Sequence, residues 1–333
     1  MSANTRLELT EADLRARELL RDFVPDKVFD AHAHLYAKTP GAAELIDYTY
    51  ESYCAQMGPM LCDPAVIRIN ALPHATRNAA TPEGRQEENR QIYERLDAAP
   101  NCVGCAFVGA GDSRERVEQI VDHPGIKGLK CYAHTTGAAN PNACAINEYL
   151  PESAWEVANE KKLSIVLHMM RPAALADPEN FDQIVTMVKR YPDAKLVLAH
   201  CARSFASWTG VETIGKLSHL ENVWFDLSAI TEPAPMMACI KATAGKRVMW
   251  GSDYPITLVR GKVVSINDSF AWITGAACDA LSDLFRRYNV KPCFVAQENL
   301  LAVRQAALLL DLDRTQVEDI FYNNAMNLYG LKD

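Results

Sequence analysis

The sequence predicts an α/β protein, a (β/α)8 TIM barrel with extra helices at its N- and C-terminal ends. Three observations predict it. Eight short apolar runs, rich in β-branched residues, are spread between residues 27 and 253. Each is followed by enough chain for a helical crossover, and eight such units fit a closed barrel where a doubly wound sheet usually has fewer. Several runs are almost continuously apolar, as parallel strands covered on both faces are.

In chain order the strand candidates are KVFDAHAH (27–34), AVIRIN (65–70), CVGCAFV (102–108), IKGLKC (126–131), LSIVLH (163–168), KLVLAH (195–200), VWFDLS (223–228) and RVMWGSD (247–253). Helix candidates lie between them. In residues 83–99, Ile92, Leu96 and Ala99 keep the i, i+4, i+7 spacing of one helical face. Residues 151–162 open on Pro151, a residue suited to the first helical turn, and 179–191 form a third amphipathic stretch. Three more helices are expected at about 265–287, 294–310 and 314–328, the first with a break at Gly275. No stretch rich in Pro, Gly or Ser reads as a linker. Residues 1–333 are therefore read as one domain, with 1–26 a helical extension and 262–333 the C-terminal helices.

Composition narrows the function. A net charge of −8 argues against a nucleic-acid partner, which usually requires a basic face. No apolar run of 18 residues suggests a membrane span, and the charged N-terminus lacks the apolar core of a secretion signal. The ten cysteines are scattered, as reduced thiols of a cytoplasmic protein are. Cys102 and Cys105 make a lone C-x-x-C with no second pair to complete a zinc site.

The polar residues carry the chemistry. His32 and His34 end the first strand, and a period of two puts both on one face. His168 ends the fifth strand, His200 the sixth and Asp253 the eighth. In a barrel these ends meet at the C-terminal mouth, where active sites of this fold lie. Alone, each histidine reads more readily as a residue satisfied by the core than as a ligand, and Asp253 equally well as a helix cap or loop brace. Together, four of eight histidines ending three strands outweigh that reading, while His74, His123 and His219 are assigned to the surface. Imidazole and carboxylate suit zinc and neighbouring divalent ions. Such a set leaves room for a water, which a catalytic zinc acidifies to a pKa of about 7.

FDAHAHLY, LSIVLH, KLVLAHC, RVMWGSDYP and the closing IFYNNAMNLYGL resemble the amidohydrolase superfamily. The likeness is to its amidohydrolase-related branch, with lactone hydrolases and aminocarboxymuconate-semialdehyde and resorcylate decarboxylases, and it runs from about residue 27 to the C-terminus. The resemblance implies that His32, His34, His168 and Asp253 hold one divalent metal, zinc or an ion such as manganese. It also implies that Asp253 takes a proton from a metal-activated water, while His200 polarises the substrate carbonyl or shuttles a proton. Binuclear members carry a carbamylated lysine at the position of Lys130. The single-metal habit of this branch weighs against a second metal there, and leaves Lys130 as a carboxylate anchor or a structural residue.

His134, in the loop after Lys130, is placed to face the substrate. Arg171 and Arg203 each follow a mouth histidine by three residues, and guanidinium groups there suit a carboxylate, unless they form structural ion pairs. Arg68, near the end of the second strand, is a further candidate. The leading expectation is a metal-dependent hydrolase of a small, carboxylated lactone, ester or amide. The alternative is a non-oxidative decarboxylase of a muconate- or resorcylate-like acid on the same metal site. A third reading, a non-catalytic binding protein, conflicts with the intact five-residue set. The expected partner is an anionic small molecule, with no nucleic acid and no membrane, and a homodimer is the commonest state for such chains.

Overall fold

A computed structural model describes residues 7–36, 47–74 and 77–332. Its centre is an eight-stranded parallel sheet whose strands are hydrogen-bonded in chain order. They are β1 (Lys27–His34), β2 (Val66–Leu72), β3 (Cys102–Phe107), β4 (Ile126–Cys131), β5 (Ser164–Leu167), β6 (Lys195–Leu198), β7 (Val223–Asp226) and β8 (Val248–Met249). The seam is closed by the chain just after β8. Ala31 N donates to Trp250 O at 3.0 Å, Asp253 N to His32 O at 2.8 Å, and His34 N to Tyr254 O at 2.7 Å. The expected barrel is therefore present, with its two ends stitched together beside the first histidine pair.

Several strands are shorter than the sequence predicts, and in β6 and β8 the chain leaves the ladder to aim a polar residue. The regular part of β8 is only two residues long, and Asp253 then adopts φ +58°. β6 stops at Leu198 because Asp226 Oδ1 accepts the His200 amide at 2.9 Å and draws it out of the sheet.

The helix candidates at 83–99, 151–162 and 179–191 appear as Pro82–Ala98, Glu152–Lys161 and Pro178–Arg190. Pro151 serves as the N-cap rather than the first helical residue. Asp177 caps the third helix by accepting from Glu179 N and Asn180 N, both at 3.1 Å. At the N-terminal end the helix Glu11–Leu20 is fixed from the far end of the chain. Fully buried Asp13 accepts from Arg260 Nη2 at 2.6 Å and from Phe294 N at 3.2 Å.

The helix expected at 265–287 is a correction. Residues 261–274 form an antiparallel hairpin, β9 (Gly261–Ile266) and β10 (Ser269–Thr274), and helices begin only at Ala276. Val263, Val264, Ile266, Trp272 and Ile273 favour extended chain, and Asn267 at φ +53° opens the two-residue turn. The later candidates hold as Val295–Leu309 and as a run from Arg314 to Leu328 with a π-helical turn at Asp319–Asn323.

Inside the barrel the lower layers are apolar. Phe29, Val103, Cys105, Val166, Val197 and Met249 pack on Tyr322, Met326 and Tyr329, with the Phe29 and Tyr329 rings stacked at 5.5 Å. Arg68 belongs to this floor, since its Nε donates to Tyr322 Oη at 3.2 Å, far from the expected mouth. All ten cysteines are free and seven are buried, Cys102 and Cys105 among them. Among the described residues no helix is long and apolar enough to cross a membrane.

Asn299 ties the C-terminal helix to the barrel. It accepts from Trp250 Nε1 at 2.9 Å and donates to Leu227 O and Ile230 O at 2.7 and 2.8 Å, fully buried throughout. Asn299→Ala strands three polar groups at once. It is expected to lower unfolding free energy by about 3 kcal/mol or more, read from the urea midpoint at unchanged slope.

Candidate active site

His32 and His34 point into the mouth from β1, their rings 5.3 Å apart and nearly perpendicular. Each is held from behind through Nδ1. His32 Nδ1 meets Asp226 Oδ2 at 2.9 Å, and His34 Nδ1 meets Pro73 O at 3.1 Å. Both partners are acceptors, so the proton sits on Nδ1 and the Nε2 lone pairs face inward. There they meet the same atom, Asp253 Oδ1, at 3.5 Å from His32 and 3.3 Å from His34.

His200 follows the same rule. Its Nδ1 lies 3.1 Å from Ser228 O and 2.9 Å from Ser228 Oγ, and that hydroxyl donates on to Asp226 Oδ1 at 2.5 Å. Its Nε2 is 3.2 Å from His168 Nδ1. One ligand atom from each of His32, His200 and Asp253 lies within 4.8 Å of the others. All five expected residues thus gather at one end of the barrel. His168 is half-buried and lies one contact further out, beside His200.

Burial keeps the imidazoles neutral. It pushes His32 and His168 well below the usual histidine value, His34 down to about 3 and His200 to about 4. It pushes the Asp253 carboxyl the other way, to about 6, against the pull of His200 and Lys130. Several lone pairs therefore converge with few protons among them. That donor set fits a divalent metal of the zinc type, which takes neutral imidazole and carboxylate together.

Sequence reasoning missed the residues behind the histidines. Asp226, at the end of β7, is fully buried and takes His32 Nδ1, His200 N, Ser228 N and Ser228 Oγ. Asp30 accepts from His32 N at 3.0 Å, Ser252 N at 2.9 Å and Tyr53 Oη at 2.7 Å, which joins β1 to the segment bearing Asp253. Burial raises its carboxyl to about 6 despite those bonds. Both aspartates stand inside apolar strand runs, and that was the available signal. His74, assigned to the surface, is half-buried in the mouth. It stacks on Tyr36 at 4.7 Å and sets its edge against His34 at 5.5 Å. β2 extends to Leu72, two residues beyond its expected end, so His74 occupies the kind of post-strand position that marked the other histidines.

The expected substrate groups separate. Lys130 is fully buried, with Nζ 4.8 Å from the Tyr132 ring and no hydrogen-bond partner among the described residues. Burial pushes its ammonium down, opposed by Cys131, Asp226 and Asp253. His134 is exposed in a 3-10 turn after β4. Arg171 is already engaged, with Nη1 2.5 Å from Glu179 and 3.2 Å from Asp177 and Nε donating to Ala143 O. Arg203 has no acidic partner among the described residues; its Nη1 donates to Arg171 O at 3.3 Å.

A family model described as Amidohydrolase matches residues 29–331. An L-fucono-1,5-lactonase from Burkholderia ambifaria is 21% identical over 274 residues, covering 77% of this chain and 88% of that protein. Among solved structures, an amidohydrolase from Burkholderia multivorans with bound zinc superposes with a TM-score of 0.61 at 14% identity. It covers 92% of this chain and 100% of its own. A 5-carboxyvanillate decarboxylase from Sphingomonas paucimobilis gives 0.58 at 14% identity, covering 92% and 99%.

The neutral histidines predict an acid sensitivity in metal-free protein. Between pH 6.5 and about 4 the unfolded chain takes up protons that His32, His34, His168 and His200 refuse in the folded mouth, so stability falls as pH falls. Asp30 and Asp253, raised to about 6, oppose this over the same window but are outnumbered. Chelated protein moved from pH 7 to pH 5 is expected to lose at least about 2 kcal/mol by urea unfolding. A rise would contradict neutral imidazoles.

Proposed function

The chain belongs to the amidohydrolase family, and on that premise we propose that it is a metal-dependent hydrolase of a small, carboxylated lactone, ester or amide. It is an enzyme of a superfamily that is generally metal-dependent and acts on small molecules. The observation that carries the proposal is the convergence of His32, His34 and Asp253 on one point, with the outer nitrogen of each histidine held by the protein.

In this reading His32, His34, His168 and Asp253 hold a single divalent ion, zinc or an ion such as manganese. When bound, such an ion supplies Lewis acidity for a water or a carbonyl oxygen. Asp253 holds a carboxyl poised near pH 6, suited to take a proton at Oδ1 and return it to a leaving group. His200 keeps an unprotonated Nε2, 3.2 Å from His168 Nδ1, and a fixed Nδ1, so a proton reaching Nε2 is stabilised through Ser228 and Asp226. Lys130, His134 and Arg203 bind the substrate's anionic groups. Arg171 serves as a strut, because its guanidinium is occupied by Asp177 and Glu179.

The roles of the two outer histidines differ in a measurable way. His168→Ala is expected to purify with little metal, whereas His200→Ala keeps its metal and loses turnover by about a hundredfold or more. Loss of metal from the His200 variant instead would make His200 the ligand. The reaction class is tested by a screen of lactones, esters, amides and aromatic or muconate-type acids, with and without chelator, alongside metal quantification. Hydrolysis abolished by chelation is the expected result. Release of carbon dioxide with no hydrolysis would replace the proposal with the decarboxylase reading.

A further inference from the structure

The helices Glu11–Leu20 and Val295–Leu309 lie side by side on the outside of the barrel, and a groove runs between them. Both ends of the pair are pinned. At one end Gln297 Nε2 donates to Asp13 O at 2.9 Å, and Lys291 pairs with Glu11 at 2.6 Å. At the other, Arg314 Nη1 donates to Phe23 O at 3.0 Å. The groove consists of two open cavities of about 480 and 500 Å³ that share Leu19. On the first helix Ala12, Ala16 and Leu19 line it, and on the second Leu301, Arg304 and Leu308. Each row keeps the three- and four-residue steps of one helical face. The pins hold the two rows apart, so the groove cannot close over its own leucines.

Leu19 and Leu308 line the same cavity from opposite walls and are 50% and 61% exposed. Phe23 and Leu312 are half-buried beside them. Exposed Tyr288 and Val290 extend the apolar face at the other end, next to Asn289 and Lys291 of the second cavity. A continuous apolar strip on a rigid base marks an interaction surface. Its charges say what covers it. The wall built from the first helix and the turn after it carries Glu11, Glu18 and Asp22 against Arg15. The opposite wall carries Lys291, Arg304 and Arg314 against Asp313. Glu18 and Arg304 have no ion-pair partner among the described residues. One wall is acidic and the other basic, so the surface is complementary to itself.

We infer that this groove is the interface of a two-fold dimer, and that its occupant is a second copy of the chain. A two-fold axis running along the groove lays the acidic wall of each copy on the basic wall of the other. It sets Leu19 against the partner's Leu308 and Glu18 against the partner's Arg304. An axis across the groove would lay like walls on like. The contact is isologous, so each pairing is made twice. Leucines from both walls leave water, and charges unpaired in the single chain gain partners that fix the register. None of the mouth residues takes part, so the inference stands apart from the reaction.

Analytical ultracentrifugation of the full chain tests the interface. The native protein is expected to approach twice the chain mass as its concentration rises. Leu308→Glu should raise the dissociation constant about tenfold or more, because it buries a charge in the apolar strip twice per dimer. Glu18→Arg and Arg304→Glu should each weaken self-association, since each sets like charges opposite one another. Mixed in equal amounts, these two variants should dimerise again, because each then meets the opposite charge at both contacts. A folding defect cannot produce rescue on mixing, and Leu308→Glu keeps its own readout should either charge variant fail to fold. A native chain that stays monomeric at every concentration overturns the interface. So does a dimer that all three substitutions leave intact, which would place self-association on another face. Weakened self-association with no rescue on mixing the folded variants overturns the two-fold arrangement.

Discussion

The buried carboxylate of Asp226 is the constraint on which the mouth depends. A charge at the end of β7 would be costly among apolar strands, and it is tolerated because four donors surround it: the His32 ring, the His200 amide, and the amide and hydroxyl of Ser228. Each of those bonds also fixes something else. The first sets the His32 tautomer. The second ends β6 and starts the left-handed turn. The last two place Ser228 beneath His200. One carboxylate therefore orients residues from β1 and from the chain just after β6 and β7.

That arrangement explains what sequence reading reaches and what it does not. Strand ends are legible because apolar runs stop there, so His32, His34, His168, His200 and Asp253 could be placed on one rim from spacing alone. The groups behind them were hidden for a physical reason. Asp226 and Asp30 sit within otherwise apolar runs, and their worth lies in partners far along the chain, 194 residues in the case of His32 and Asp226. His74 was lost for want of two residues at the end of β2. Arg171 and Arg203 stand in identical relation to their histidines in the sequence, yet Asp177 and Glu179 neutralise one while the other has no acidic partner among the described residues. Only tertiary contacts separate them.

The hairpin shows the opposite failure. The helix expected at 265–287 overlaps this hairpin, although β-branched and aromatic residues dominate it and an Asn-Asp pair marks its turn. Local propensity held the answer there, and the broader pattern obscured it. The consequence reaches the mouth, because the hairpin carries Phe270 and Trp272 to Phe205, whose ring lies beside His200.

The three mouth aspartates share one chemistry and differ in their count of protons received. Asp226 has four donors and Asp30 three. Asp253 instead faces two Nε2 atoms at 3.3 and 3.5 Å whose protons lie on the far side of their rings. Lone pair meets lone pair at this point, in a setting where water's dielectric no longer mutes the repulsion. Such a cluster is stable only if positive charge enters it, as a proton on Asp253 or as a cation shared by all three groups. Burial, which raises the Asp253 carboxyl to about 6, makes the first solution reachable in mild acid. The fixed direction of both imidazoles favours the second, since a cation can satisfy every lone pair together while a single proton satisfies one.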